Sequence, residues 1–406
     1  MKPLDEARRE VLDAMRPLPI GSPPLAEADG LVLAEDVVAP HDLPPFANSS
    51  MDGFAVRAAD VAEVPITLDV VADLRAGYVT GTEVRPGTAV AIMTGAPIPV
   101  GADAIVPVED TETTDGRVTI HRGRPVGAFV RHAGGDVGAG ELVLRAGERL
   151  RPSRIGVLAS LGITEPPVRQ RPVVALMSTG DEVLDPATRD LGPGKIRDAN
   201  RPVLTSLLRE VGAVVKDLGI VGDDLGALSD ALEVGAAGAD AVITSGGVSM
   251  GTHDLVKQVL ADRGTVEFWQ VAMQPAKPFA FGHLDGTPLF GLPGNPVSAM
   301  VAFEQFVRPA LLTMMGATAV LRPRITGYLD GSVSTDPAKT VFLRAKAEYA
   351  DGAWIARLST RQQSNMLSAM AAGDCFAVVP EGIGDLPDGS AVELEMFRWP
   401  EAREAP

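Results

Sequence analysis

The sequence predicts a multidomain α/β protein built around a doubly wound parallel sheet, and three observations carry that prediction. One design of apolar run, Gly-rich polar turn and helix start occurs three times: Val173 to Glu182 (VVALMSTGDE), Ala241 to Asp254 (AVITSGGVSMGTHD) and Pro288 to Ser298 (PLFGLPGNPVS). Residues 171 to 316 alternate strand-like and helix-like segments in the βαβ manner, which places helices on both faces of one sheet. Short β-type runs dominate on either side of that core, so smaller β-rich domains accompany it. In an open parallel sheet the strand ends converge on one edge, where glycines and helix N-termini present backbone N–H groups to anions. The repeated turns therefore locate an anion-binding crevice.

Composition sets the bounds. With 406 residues, 46% hydrophobic and 22% charged, the chain can bury several cores, and its length suggests two to four domains. Aromatics make up only 4%, so Ala, Val, Leu and Ile must fill those cores. Cys375 is the single cysteine, which excludes an internal disulfide framework, and five scattered histidines leave no zinc-ligand spacing. The net charge of -17 argues against nucleic acid or an anionic membrane as the main partner. It does not exclude a small anion, because exposed charges beyond roughly 8 Å are largely screened at physiological salt. The charged start MKPLDEARREVLDAM lacks a signal-peptide core, no run of about 18 apolar residues occurs, and the expected location is cytoplasmic.

Along the chain, Asp5 to Met15 reads as a helix, because Ala7, Val11, Leu12 and Met15 recur at helical spacing. A Pro-rich extended stretch follows and ends in LPPFANSSMDGFAV. Between about 51 and 146, the runs ITLDVVADL, TAVAIM, AIVPVED, RVTIHRG and ELVLRAG alternate with Gly and Pro turns, predicting a small β-rich domain inserted into another. Ser153 to Leu161 is a helical pattern expected to pack beside the N-terminal helix. The expected division is 1–45 plus 147–170 as an elongated N-terminal domain, 46–146 as the inserted β-rich domain, 171–318 as the central α/β domain, and 319–400 as a C-terminal β-domain. RITGYLD, TVFLRAKAEY, AWIARLS, CFAVVPE and AVELEMF supply the strands of the last. The tail Pro400 to Pro406 is polar.

With STGDE, SGGVSMGTHD, KPFAFG and GLPGNPVS in this order, preceded by NSSMDGFAV and TGAPIPVGADAIVPVED, the chain resembles the molybdopterin molybdenumtransferases, the bacterial MoeA type also represented by the E domain of gephyrin. The likeness spans roughly residues 1 to 400. It implies four domains with a MogA-like centre, an elongated homodimer, and active sites between the central domain and parts of the partner chain. The implied reaction inserts molybdate into adenylylated molybdopterin, requires Mg²⁺ and releases AMP. The resemblance also implies contact with other proteins of the pathway, such as the molybdopterin adenylyltransferase.

The residues themselves leave two readings open at most positions. In SGGVSMGTHD, Gly246, Gly247 and Gly251 allow close backbone approach and Ser245 and Ser249 offer hydroxyls, which suits phosphate; the alternative is an ordinary βα turn. Asp254 reads as a helix N-cap, and Glu182 and Asp223 as solvated turn acids. Carboxylates beside phosphates are the usual Mg²⁺ arrangement, and the resemblance makes these three the family's functional acids. Lys277, in MQPAKPFAFG, offers a point charge to phosphate or molybdate, or is a surface lysine. Family members often carry a second lysine where this chain has Gln274. In GLPGNPVS, Pro293 and Pro296 flank Gly294 and Asn295 in a stiff turn into a helix that contains Ser298, fit for an oxyanion or a pterin, or merely tight. Asp52 in NSSMDGFAV is a turn aspartate on its own terms, and Thr94 in MTGAPIPVGAD a turn hydroxyl. The resemblance makes Asp52 an active-site residue contributed across the dimer, Thr94 a ligand-site candidate, and Arg344 and Ser364 weaker matches.

These residues imply catalysis by positioning two anions, with Mg²⁺ screening their repulsion, and no covalent enzyme intermediate. No Ser-His-Asp or Cys-His set is evident, and Cys375 reads as packing. Two rival readings remain. One is the adenylylation of molybdopterin, performed by single-domain relatives that lack the β-domains expected here. The other is a scaffold or binding protein on the same fold.

Overall fold

A computed structural model of the chain describes residues 1–247 and 264–401. The chain divides into two compact units, one made of Met1–Ala34, Gly147–Arg151 and Pro167–Pro406, the other of Glu35–Ala146 and Pro152–Pro166.

The larger unit is organised by a six-stranded sheet in the order Val214–Val221, Val173–Thr179, Ala241–Ser245, Thr287–Leu292, Pro278–Leu284, Gly264–Gln270. The first four strands run parallel and the last two antiparallel. Every residue of Ala241–Ser245 is buried, as is every residue of Val173–Thr179 after the first, because helices cover both faces. Leu228 and Leu232 of the helix Leu225–Ala236 pack on Ala175, Met177 and Val242. The pleat turns the alternate residues Val174, Leu176 and Ser178 to the opposite face. The helix Asn200–Val211 covers that side and buries Leu204, Leu208 and Val211, each leucine contributing about 1.5–3 kcal/mol relative to exposure. Asp224 accepts from the Ala227 N–H and starts one helix; left-handed Gly212 ends the other. The doubly wound core expected from the βαβ rhythm is present.

Pro296–Ala302 continues through a π turn at Phe303–Val307 into Arg308–Met314 as one buried helical rod. Here Phe306 stacks on Phe279 with ring centroids 4.3 Å apart. The N-terminal helix Leu4–Ala14 docks on this rod, not through its apolar face alone: Arg8 donates to the Gln305 side chain at 2.6 Å and to its carbonyl at 3.3 Å. The helix Pro152–Ser160 belongs to the smaller unit.

Beyond residue 324 the strands Arg324–Asp330, Thr340–Ala350, Ala353–Leu358, Cys375–Val379 and Ala391–Met396 close into a barrel, because Thr340–Ala350 pairs with both Ala353–Leu358 and Cys375–Val379. Closure leaves no open edge between these five strands. Cys375 lies in its core, and burial with the neighbouring Asp374 pushes its thiol up to about 12, so it is a packing residue.

The smaller unit holds a six-stranded sheet of its own, ordered Ala104–Pro107, Gly53–Val56, Thr88–Ile92, Ile66–Leu74, Arg117–Ile120, Thr111–Thr114. Phe54, Val56 and Leu68 pack on one face, and Ala55, Val90 and Ile105 on the other. Gly53 is required at its position, since a Cβ there would stand 2.0 Å from the Val106 carbonyl oxygen. Among the described residues no helix is long and apolar enough to cross a membrane.

Candidate functional site

The Gly-rich turns at the carboxyl ends of the parallel strands are laced to one another across the sheet edge. Gly180 N–H donates to the Val221 carbonyl at 3.2 Å, and Asp223 N–H donates to the Asp181 carboxylate at 3.0 Å. Gly246 N–H donates to the Leu292 carbonyl at 3.0 Å. Asn200, the first residue of its helix, spans two turns: its amide donates to Ser245 Oγ at 2.7 Å and to the Gly294 carbonyl at 2.8 Å. Because a carbonyl can only accept, the Gly294 contact fixes which end of the Asn200 amide is the nitrogen. Gly246, at φ +97, admits no other residue, since a Cβ would lie 2.7 Å from the Thr179 carbonyl oxygen.

These turns enclose a cleft of about 650 Å³. Of the residues expected from sequence, Glu182, Asp223, Ser245, Gly246, Gly247, Pro293, Gly294, Asn295 and Pro296 line it together. Ser298 lies in the helix that begins at Pro296 and is 5% exposed. Ser249, Gly251 and Asp254 lie outside the described residues. Lys277 is exposed and immediately precedes Pro278, which lines the cleft. Gln274 belongs to a short strand paired with Val341 of the barrel.

Glu182 and Asp223 are exposed, and neither pairs with a lysine or arginine among the described residues. Two unneutralised carboxylates offering only oxygen are hard donors of the kind Mg²⁺ takes, so the residues present fit that ion. Among the described residues no group of three acids, histidines or cysteines is preassembled.

The barrel reaches this cleft through the loop 359–365. Its Asn365 lines the cleft, and the Ser364 carbonyl accepts from the Val297 N–H at the start of the helix. Arg344 sits beneath that loop, 1% exposed, and donates to the carbonyls of Arg361 and Gln363 at 3.4 Å each. It makes no ion pair with an acid among the described residues, its Nε has no partner, and burial pulls it down to about 10. Arg344 thus supports the loop from within.

In the smaller unit, Asp52 and Thr94 are joined: the Thr94 backbone N–H and hydroxyl both donate to one Asp52 carboxylate oxygen, each at 2.7 Å. These two bonds, the backbone one first, hold the Asp52 carboxyl below its ordinary value.

Over 405 residues the chain is 39% identical to molybdopterin molybdenumtransferase 2 of Mycobacterium tuberculosis, across 97% of this chain and 99% of that one. It belongs to the molybdopterin molybdenumtransferase family. Family models match in chain order, as the MoeA N-terminal region (domain I and II) over 2–162, a probable molybdopterin binding domain over 175–313, and the MoeA C-terminal region (domain IV) over 326–397. The molybdopterin molybdenumtransferase of Haemophilus influenzae is 36% identical, covering 98% of this chain and 99% of its own length. The crystal structure of the molybdopterin biosynthesis moeA protein of Pyrococcus horikoshii superposes with a TM-score of 0.83 at 30% identity, over 98% of this chain and all of that one. This molybdenumtransferase is accordingly a transferase of molybdenum cofactor biosynthesis with an α/β centre and a C-terminal barrel.

Sequence reasoning missed Ser178, Asp198, Asn200 and Asn365 as cleft residues of this transferase. Asp198 and Asn200 carried a signal, a polar Asp-Ala-Asn run opening a helix, but it reads as a cap. Asp198, one residue before the N-cap position, accepts from the Arg201 N–H at 3.1 Å and pairs with its side chain at 3.0 Å.

Proposed function

We propose that the cleft binds molybdopterin in its adenylylated form and inserts molybdate, releasing AMP, with Mg²⁺ as the required cation. The observation that carries this reading is the convergence of Glu182 and Asp223 with the Gly246–Gly247 and Pro293–Pro296 turns on one crevice of a chain that belongs to this family. The turns bring backbone and hydroxyl donors toward anionic oxygens, and the two acids would repel those oxygens unless a cation lay between them. Glu182 and Asp223 would hold the Mg²⁺, together with Asp254. When bound, the ion screens the repulsion between molybdate and the pterin phosphate and stabilises the departing phosphate charge. Lys277 supplies a positive charge near the mouth.

The chain's own groups then act by placement. Asn200 fixes the spacing of the Ser245 and Gly294 turns, and the loop 359–365 closes one side. Holding both anions in reacting geometry is worth several kcal/mol of barrier without a covalent intermediate. In the same reading the protein works as a homodimer in the cytoplasm, and the Asp52–Thr94 pair is presented to the cleft of a second copy, with substrate delivered by the adenylyltransferase that precedes it.

The test is AMP release from purified adenylylated molybdopterin with Mg²⁺, with and without molybdate. Wild type is expected to release AMP only when molybdate is present, Glu182→Gln and Asp254→Ala to lose that release, and EDTA to abolish it reversibly. A folded wild type that releases none under any condition overturns the reading.

A further inference from the structure

Two buried polar atoms, in residues that line the cleft, find no partner among the described residues: the Asn200 carbonyl oxygen and the Ser178 hydroxyl. Asn200 is 8% exposed and Ser178 is 2% exposed, and both residues line the cleft. Such atoms are rare in folded proteins, because a buried polar group without a partner is destabilising. The two belong to one cluster. Ser178 and Ser245 are in-register neighbours on adjacent parallel strands, so their side chains rise from the same face of the sheet. Asn200 is bonded to that same Ser245.

The Asn200 amide has already committed both its hydrogens, to Ser245 Oγ and the Gly294 carbonyl. What remains on it is a pure acceptor, buried within a residue that lines the cleft. A phosphate or molybdate oxygen would be repelled there, whereas a neutral N–H or O–H is what that atom lacks. Ser178, which can donate and accept, is free to complete the contact.

We propose that Asn200 Oδ1 and Ser178 Oγ are specificity-determining contacts for an uncharged N–H or O–H donor of the substrate, and so mark where the anionic groups do not lie. This rests on the reading of the cleft as the substrate site. Two parts of an adenylylated pterin carry such donors, the ribose hydroxyls and the nitrogen-bearing edges of the heterocycles, and the probes below separate them.

The discriminating variant is Ser178→Ala in the full-length protein. If the hydroxyl is reserved for a ligand, removing it takes nothing from the unliganded fold, and the thermal midpoint stays the same or rises. Affinity falls, by about two- to tenfold for one hydrogen bond. Binding is measured by calorimetry with AMP, 2′,3′-dideoxy-AMP and 6-hydroxymethylpterin. A loss for AMP but not for the dideoxy analogue assigns the donor to the ribose; a loss for both nucleotides assigns it to adenine; a loss for the pterin alone assigns it to the pterin ring. Any of these with an undiminished midpoint supports the inference. Unchanged affinity for all three, or a midpoint lowered by several degrees, overturns it while leaving the cleft reading in place. A wild type that binds none of the three overturns both.

Discussion

Arg344 offers the sharpest test of how the barrel serves the cleft. The perturbation is Arg344→Met, which keeps length and apolar stem and removes the guanidinium. Burial pulls Arg344 from the ordinary guanidinium range down to about 10, which at about 1.4 kcal/mol per pH unit makes the buried charge unfavourable by about 3 kcal/mol. Against this stand three bonds, to Phe342, Arg361 and Gln363 carbonyls at 3.4–3.5 Å, the outer limit of the interaction. Burial outweighs them, so Met is expected to leave stability unchanged or to raise it by up to about 2 kcal/mol, as when a buried charge gives way to a well-packed hydrophobe. The lowered value is that of a base, so the unfolded chain binds more protons above pH 10. The destabilising contribution is therefore full below about 10 and is relieved as pH rises through it, and the Met variant should lack that rise. The 359–365 loop keeps its Gln362 clamp on the Arg344 backbone but loses the ties at Arg361 and Gln363, beside Asn365 and the Ser364 carbonyl. A displacement there is expected to lower kcat/KM by roughly ten- to a hundredfold. Urea unfolding followed by tryptophan fluorescence, to which Trp354 on the barrel core contributes, reads the stability, and AMP release reads the activity. Unfolding at clearly lower urea would refute the energetic reasoning. Unchanged kcat/KM would refute the positioning role.

Three further outcomes follow from the same geometry. Asn200→Ala removes two bonds worth about 1–3 kcal/mol together, so amide exchange at Gly246 should quicken by roughly 5- to 150-fold, and Asn200→Asp should be worse because it sets a carboxylate against the Gly294 carbonyl. Thr94→Ala should raise the Asp52 pKa toward its ordinary value, read from its carboxyl carbon shift by NMR; because the folded value is lowered, the stabilisation it reports is present at neutral pH and lost as pH falls through that value. Cys375 should resist thiol reagents at pH 8 until the protein is unfolded. Its folded pKa is raised, so the contribution of the neutral thiol is full below the unfolded value near 8.5 and is lost as pH climbs toward 12.

The parts legible in the sequence were those where local pattern and tertiary role coincide. VVALMSTGDE and AVITSGG read as buried parallel strands ending in ligand-facing turns because both faces of those strands are covered and both ends need glycine. Glu182 and Asp223 could be named because acids in such turns are conspicuous. Asn200 could not, since a polar residue at a helix start looks the same whether it caps the helix or ties two distant turns. Arg344 was illegible as a support because TVFLRAKAEY suggests alternation, whereas Val341 to Ala345 are all buried, Val341, Leu343 and Ala345 in the barrel core and Phe342 and Arg344 on the opposite, covered face. Closure itself depends on pairings far apart in the chain, which no short window contains. The docking of the N-terminal helix fails to show for the same reason.

That docking has a consequence in time. Arg8 meets Gln305 across 297 positions of chain. At synthesis rates of about 5–20 residues per second, the helix leaves the ribosome roughly 15–60 seconds before its partner exists. Throughout that interval its apolar stripe of Leu4, Ala7 and Val11 has nothing to cover it, while the smaller unit, complete by residue 166, is free to fold. This early segment is thus among the last to find its place, and a nascent chain stalled before residue 305 carries an uncovered apolar stripe. A chaperone that holds N-terminal segments would have its longest window of engagement here.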